Sequence, residues 1–315
     1  MNKKKFKIKR KETVLKINMN FPNAPSSPPR IIRGKGRKSM LVREKVSFNL
    51  EKKRLARIQM PHHVKMILLG TLLGDGSLSI QKNYANARFQ MRHSSMQKKW
   101  FDWKSEALAS LGTNKAIHFQ KPDGFQRSRP ANHPPNEPWG KWHFQTRALP
   151  ELTKIYDVVR KGKKKNVQRS WLNHLDARAL MVWWCDDGGL TSKLKKGHIS
   201  THGFTLGEIK ILSKYLKVVW NLDNIIGKVH KKNVEYYVIR LNTTNLKKLI
   251  RLIAPFIPVA SMVYKLCVGY VDRELQQRWI SELKGLVPSE FASKVDQFYL
   301  RFNQKREQRR RQRMI

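Results

Sequence analysis

Three things are scarce in this chain. Its 315 residues include only 2 cysteines, Cys185 and Cys267, so no disulfide framework holds it together and a reducing compartment is expected. No stretch approaches the roughly 18 apolar residues needed to cross a bilayer. The start, MNKKKFKIKRKE, lacks the apolar core of a secretory signal and the serine content of a transit peptide. Acidic residues are also few: 22 Asp and Glu face 65 Lys and Arg, a formal net charge of +43. Such an excess repels itself and is not needed for folding; it suits a polyanionic partner. The basic runs do not form amphipathic helices with an aromatic face, so the partner is read as nucleic acid rather than a membrane surface.

With so few acids, their placement is informative. Residues 67–78 read ILLGTLLGDGSL and residues 179–190 read ALMVWWCDDGGL. Each is an apolar stretch of helical length that stops at an acid, then glycine, a small residue and leucine. Aligned on Asp-Gly, Asp75 matches Asp187, Gly76 matches Gly188 and Leu78 matches Leu190, 112 residues apart. A single Asp-Gly is an ordinary helix stop. Two copies with matching flanks imply two apolar helices that, packed side by side, bring two carboxylates together as a metal site for phosphate oxygens.

Charge and periodicity divide the chain. Residues 1–60 carry 19 Lys and Arg against 3 Glu, with proline and serine but no hydrophobic period, and are read as a basic extended leader. From His62 the pattern changes: Val64, Ile67, Leu68 and Leu72 recur at helical spacing, and Gly70 with Gly74 offers a smooth face for close helix approach. Strand-like alternation follows at 87–93, 115–120 and 141–147, with a helix at 96–111 presenting Trp100, Trp103, Leu108 and Leu111, and another at 149–160. A proline-rich insert at 122–139 interrupts this half. After Asp187 the order returns: strand near 197–204, helix 206–221, strands 225–231 and 234–241, helix 244–254. The organisation expected is a leader over 1–60, repeats over 61–175 and 176–270, and C-terminal helices with a basic tail over 271–315. Helices at about 272–284 and 290–304 run into the arginine-rich end REQRRRQR.

These residues resemble the LAGLIDADG homing endonucleases, in the branch whose second motif reads W-[WY]-x-D-D-G. The resemblance is carried by LLGTLLGDG at 68–76 and WWCDDG at 183–188, with RKGKKKNV at 160–167 and MVYKL at 262–266 in support. It implies an α+β fold of tandem αββαββα repeats about a pseudo-twofold axis. The motif helices would form the interface, and antiparallel saddle sheets would lie over the DNA major groove. It further implies that Asp75 and Asp187 are the catalytic acids and hold Mg²⁺ (or another divalent cation) against the scissile phosphates. Asp186, one position earlier, is read as a packing or supporting residue. The family also uses a lysine from each half. Lys265 lies 78 residues after Asp187, and Lys165 lies 90 after Asp75; the excess of 12 is about what the proline-rich insert would add, and Lys164 is an equal choice.

Base-reading residues are expected on the strands, where long polar side chains rather than acids alternate with apolar ones. In the first half these are Arg88, Gln90, Arg92, His118, Gln120, His143, Gln145 and Arg147. In the second half they are Lys228, His230, Lys232, Tyr236, Arg240 and Asn242. His198 and His202 are four apart, but on a strand that spacing makes no metal site, so they are read as surface or groove residues. Some positions depart from the family pattern: Gly70 and Gly74 align with the bulkier Val182 and Asp186, Ser77 aligns with Gly189, and Leu73 stands where many members have an acid.

The implied activity is site-specific double-strand DNA cleavage leaving short 3′ overhangs, by a monomer with internal pseudo-symmetry. Two alternatives keep the same fold: a maturase acting on intron RNA, and a non-enzymatic rRNA-binding ribosomal protein, part of a ribonucleoprotein, whose basic ends would thread into the rRNA. The expected location is an organelle matrix, mitochondrial or chloroplast.

Overall fold

The computed structural model describes residues 59–122, 139–161, 164–231 and 234–312. All but the last two residues of the expected leader, most of the proline-rich insert, and Lys232 in its turn lie outside the described residues.

The first repeat contains α1 (His62–Leu73), β1 (Gly76–Ser79), β2 (Arg88–Ser94), α2 (Lys98–Ala107), β3 (Ile117–Gln120), β4 (Lys141–Gln145) and α3 (Pro150–Val159). A two-stranded ribbon, β5 (Arg160–Lys161) with β6 (Lys164–Lys165), and a short α4 (Arg169–Leu172) lead out of it. The second repeat contains α5 (Ala177–Asp187), β7 (Gly188–Leu190), β8 (Gly197–Ser200), α6 (Leu206–Trp220), β9 (Ile225–Lys231), β10 (Val234–Leu241) and α7 (Thr243–Ile253). A 3₁₀ segment, Ala260–Leu266, precedes α8 (Arg273–Leu286) and α9 (Ala292–Arg311).

Both sheets are antiparallel and have the same order, β1-β2-β4-β3 and β7-β8-β10-β9. This is the duplicated α+β topology expected from the order of elements. Along β2, burial alternates: Phe89, Met91 and His93 face the core, while Arg88, Gln90 and Arg92 face away. That is the period of two required of a strand with one covered face.

The motif helices are apolar all round because they lie inside the protein. In α1, Val64 and every residue from Met66 to Leu73 is buried; in α5, so is every residue from Ala179 to Cys185. They run parallel. His62 at the start of α1 touches Asp176, the N-cap of α5, at 3.2 Å. Further along, Gly70 meets Val182 and Gly74 meets Asp186. The bulkier residues of the second motif thus pack against the glycines of the first, each side compensating the other.

The helix caps follow from sequence. Thr205 and Glu208 make a capping box at the start of α6, whose end is closed by Asn221 at φ 52. Two differences from the sequence reading concern short elements. The stretch 96–111 is a helix of ten residues flanked by 3₁₀ turns, Ser95–Gln97 and Ala109–Leu111. Strands β1 and β7 begin on the motif glycines and have four and three residues, too short and too glycine-rich to show a strand period.

Candidate active site

Where α1 and α5 end, their last carbonyls lack intrahelical donors, and each receives a lysine. Lys165 Nζ, from the β5–β6 ribbon, donates to Leu72 O at 2.5 Å and to Gly76 O at 3.4 Å. Lys265 Nζ, from the 3₁₀ segment, donates to Cys185 O at 2.5 Å and to Asp186 O at 3.4 Å. The segment carrying Lys265 is itself fixed, because Trp184 Nε1 donates to Lys265 O at 3.1 Å. Of the two candidates in the first half, Lys164 is exposed and Lys165 is the one turned inward.

Asp187 is the last residue of α5, and Asp75 follows the end of α1 by two residues. Asp187 lines a pocket with Leu73, Gly74, Lys165, Ser200, His202 and Phe204. Burial, then the Asp75 and Asp186 carboxylates, push the Asp187 carboxyl up to about 7. Burial, then Asp186, push Asp75 up to about 6. Both carboxyls therefore keep protons to higher pH than a free carboxylate, because burial and the neighbouring acids disfavour their charged forms. Burial holds both Lys165 and Lys265 below the ordinary lysine value, while the carboxylates draw them back up. The donor set suits a hard divalent cation: oxygen ligands that repel one another and that protons otherwise neutralise.

Asp186 is already occupied. Its side chain is fully buried; Oδ1 accepts from Trp100 Nε1 at 2.7 Å and from Lys104 Nζ at 2.8 Å. His93 lies 3.5 Å from Asp75, and burial with the nearby Lys104 charge pushes it down to about 4. The nearest ligand atoms of Asp75, His93 and Asp186 lie within 4.8 Å of one another. Neither Lys104 nor His93 was picked out from sequence. A lone lysine among 65 cationic residues carries no signal, and His93 shows only as a core-facing position in a strand.

The strand registers sort the expected base readers. In the first sheet, Gln90 pairs with Gln145, Arg92 with His143, and His143 with His118. Arg88, Gln90, Arg92, His118, Gln120, His143 and Gln145 therefore share one face. On it, His118 stacks on His143 at 4.6 Å, and Gln120 Oε1 accepts from His143 Nε2 at 2.7 Å. Arg147 does not belong there: β4 stops at Gln145, and the Arg147 guanidinium donates to Ser110 O.

In the second sheet, Tyr237 pairs with Lys228 and Glu235 with His230. This places Lys228 and His230 on the face opposite Tyr236 and Arg240, where they surround Glu235 at 3.0 and 3.7 Å. The alternation along β9 is real, but the antiparallel register points it toward the core side. Asn242 lies past β10 and caps α7, accepting from Asn245 N. The face that carries Tyr236 and Arg240 also carries His198, paired with Arg240, and Ser200. His202 stacks on Tyr236 at 4.8 Å.

Comparison with known proteins adds relatives. The chain is 26% identical over 247 residues to a protein named RecA from Mycolicibacterium chitae, covering 73% of this chain and 53% of that protein. It thus spans about half the length of the curated relatives it matches first. It is 31% identical over 127 residues to the intron-encoded endonuclease ai4 of Dictyostelium discoideum, covering 40% of this chain and 77% of that one. Among solved structures, the homing endonuclease I-WcaI, bound to its DNA recognition sequence, has the same fold. It aligns with a TM-score of 0.56 and 22% identity over 75% of this chain and 96% of that one. The sequence profile of the LAGLIDADG DNA endonuclease family matches residues 65–249, more than half of the chain and both motif helices, and the chain belongs to that family.

Proposed function

We propose that the chain is a site-specific double-strand DNA endonuclease acting as a monomer, with Mg²⁺ as its divalent cation. One observation carries this reading: two parallel helices end in acids, Asp75 and Asp187, and each helix end is held by a lysine. Asp75 and Asp187 are the residues to hold the cation against the two scissile phosphates. A bound divalent cation supplies charge neutralisation at phosphate oxygens and acidifies the attacking water.

The chain's own groups do the rest. To hold the cation, Asp187 and Asp75 would both have to be ionised, against the burial that favours their protonated forms. Lys165 and Lys265, fixed to the helix-end carbonyls, hold positive charge beside the phosphates. The polar faces of the two sheets bind the duplex, with Arg88, Gln90, Arg92, His118, Gln120, His143 and Gln145 in one half and His198, Tyr236 and Arg240 in the other reading base edges. The repeated sheet order supports repeats over 61–175 and 176–270, with 271–315 as an appended segment. Among the described residues no helix is long and apolar enough to cross a membrane. The intron-encoded relative supports an intron-associated origin, and with it an organelle matrix.

A randomised duplex library incubated with the protein and Mg²⁺ tests the reading. Recovery of one long asymmetric site, cut on both strands with short 3′ overhangs, is expected. Asp75→Asn and Asp187→Asn should still bind that site without cutting it. Cutting at the wild-type rate by both variants would remove this mechanism.

A further inference from the structure

Lys104 and Asp186 form an ion pair whose side chains are both fully buried. Lys104 Nζ lies 2.8 Å from one carboxylate oxygen and 3.0 Å from the other, and Trp100 Nε1 adds a third bond at 2.7 Å. Lys104 and Trp100 belong to α2 of the first repeat, Asp186 to the motif helix of the second, so the bridge ties the halves together. Desolvating two charges costs about as much as the pairing returns, and an apolar pair of the same volume would often be as stable. Stability alone does not account for the charges.

What they face does. The ligand atoms of Asp186, His93 and Asp75 cluster within 4.8 Å, so a fixed anion and the fixed cation that offsets it both sit beside Asp75. The residue matching Asp186 in the first motif is Gly74, which can supply no counterpart. The pocket of Asp187 holds Lys165, Ser200, His202 and Phe204 instead. Three N–H bonds from α2 fix the Asp186 oxygens in place.

We infer that Lys104 is a positioning residue: it holds Asp186 in a bridge between the repeats beside Asp75, and in doing so makes the two strand cleavages unequal. This rests on the endonuclease reading above. Removing Lys104 leaves an uncompensated negative charge next to Asp75. Neutralising Asp186 leaves an uncompensated positive one. The two changes alter the field at Asp75 in opposite senses; the Asp186 charge also reaches Asp187, but there Lys165, not Lys104, is the cation beside it.

The experiment measures the nicking rate of each strand on an end-labelled duplex of the selected site, for wild type, Lys104→Met, Asp186→Asn and the double variant. The ratio of the two rates should move at least tenfold in opposite directions in the single variants. In the double variant it should return to within threefold of wild type. Affinity for the uncut site in Ca²⁺ should stay within threefold throughout. Ratios that stay put, that move the same way, or that the double variant does not restore overturn the inference, since a merely structural defect slows both strands together. Should Lys104→Met fail to fold by circular dichroism, Lys104→Arg, which must keep the ratio, and Asp186→Asn, which must shift it, decide instead. A wild type that cuts no site overturns the endonuclease reading as well; a wild type that cuts while the ratios stay fixed overturns this inference alone.

Discussion

Gly70 of α1 and Val182 of α5 meet so closely that a β-carbon on the glycine would stand 2.8 Å from that of the valine. The backbone of Ala179 closes the same spot from the other side, so neither neighbour can yield cheaply. Gly70→Ala is therefore expected to cost about 1–3 kcal/mol by overpacking, even though alanine is the better helix former. Thermal melts should fall by roughly 2–4 °C for each kcal/mol lost. A variant as stable as wild type would show that the helices can separate without penalty.

The raised carboxyls predict a pH dependence. Both lie above their unfolded value of 3.8, so between there and about 7 the folded protein keeps protons that the unfolded chain has released. The stability they contribute is present at low pH and lost as pH rises through about 6 for Asp75 and about 7 for Asp187. His93 and His143, pushed down to about 4, act in the opposite sense below 6.5, so the effect is read as a difference. In EDTA, Asp187→Asn should gain on the order of 1 kcal/mol over wild type between about pH 5 and about pH 8, after allowing for solvent screening at the pocket. Urea melts measure this. Ca²⁺ should shrink the gain at the higher pH, because only the wild type keeps both carboxylates; a gain that is flat across pH refutes the assignment.

Lysine substitutions separate position from charge. Lys265→Met keeps the stem but leaves Cys185 O without its donor, at about 1–3 kcal/mol. It should also slow cleavage by about 10²–10³-fold, the scale of losing one preorganised group that stabilises developing charge, with affinity little changed. Lys165→Met should behave alike. Lys164→Met, at an exposed position, should cut normally; single-turnover rates on the selected site distinguish the three.

The register of the second sheet predicts which cations read bases. Arg240→Ala should relax preference at one position of the site by about 1–3 kcal/mol. Lys228→Ala should weaken binding evenly across sequences and make its salt dependence shallower. Repeating the library selection with each variant measures both. A base-specific change from Lys228→Ala would mean that the face assignment is wrong.

Much of this fold was readable from sequence because it is written twice. The matching Asp-Gly segments marked the motif helices, and the polar alternation around Gln90 and Arg92 marked a covered sheet. Lys228 and His230 misled because alternation within β9 is a local property, whereas the face it points to is set by pairing with β10. Asn242 looked like one more strand residue, but the strand ends at Leu241 and the side chain caps a helix. Lys104 was invisible for a different reason: its meaning comes from Asp186, 82 residues away, and only the packing of α2 on the motif helices brings them together.

Gly74 and Asp186 hold equivalent positions in the two repeats and touch across the axis that relates them. A protein made of two identical chains must put the same residue on both sides of its axis. Two aspartates there would collide, since even a β-carbon on Gly74 would stand 2.5 Å from that of Asp186. Two glycines would leave Lys104 and its copy buried with no carboxylate to meet. Fusing the halves into one polypeptide lifts that constraint, so each side of the junction is free to diverge. The corollary is that neither half of this chain can be turned into a working homodimer by cutting it out; this contact would have to be rebuilt first.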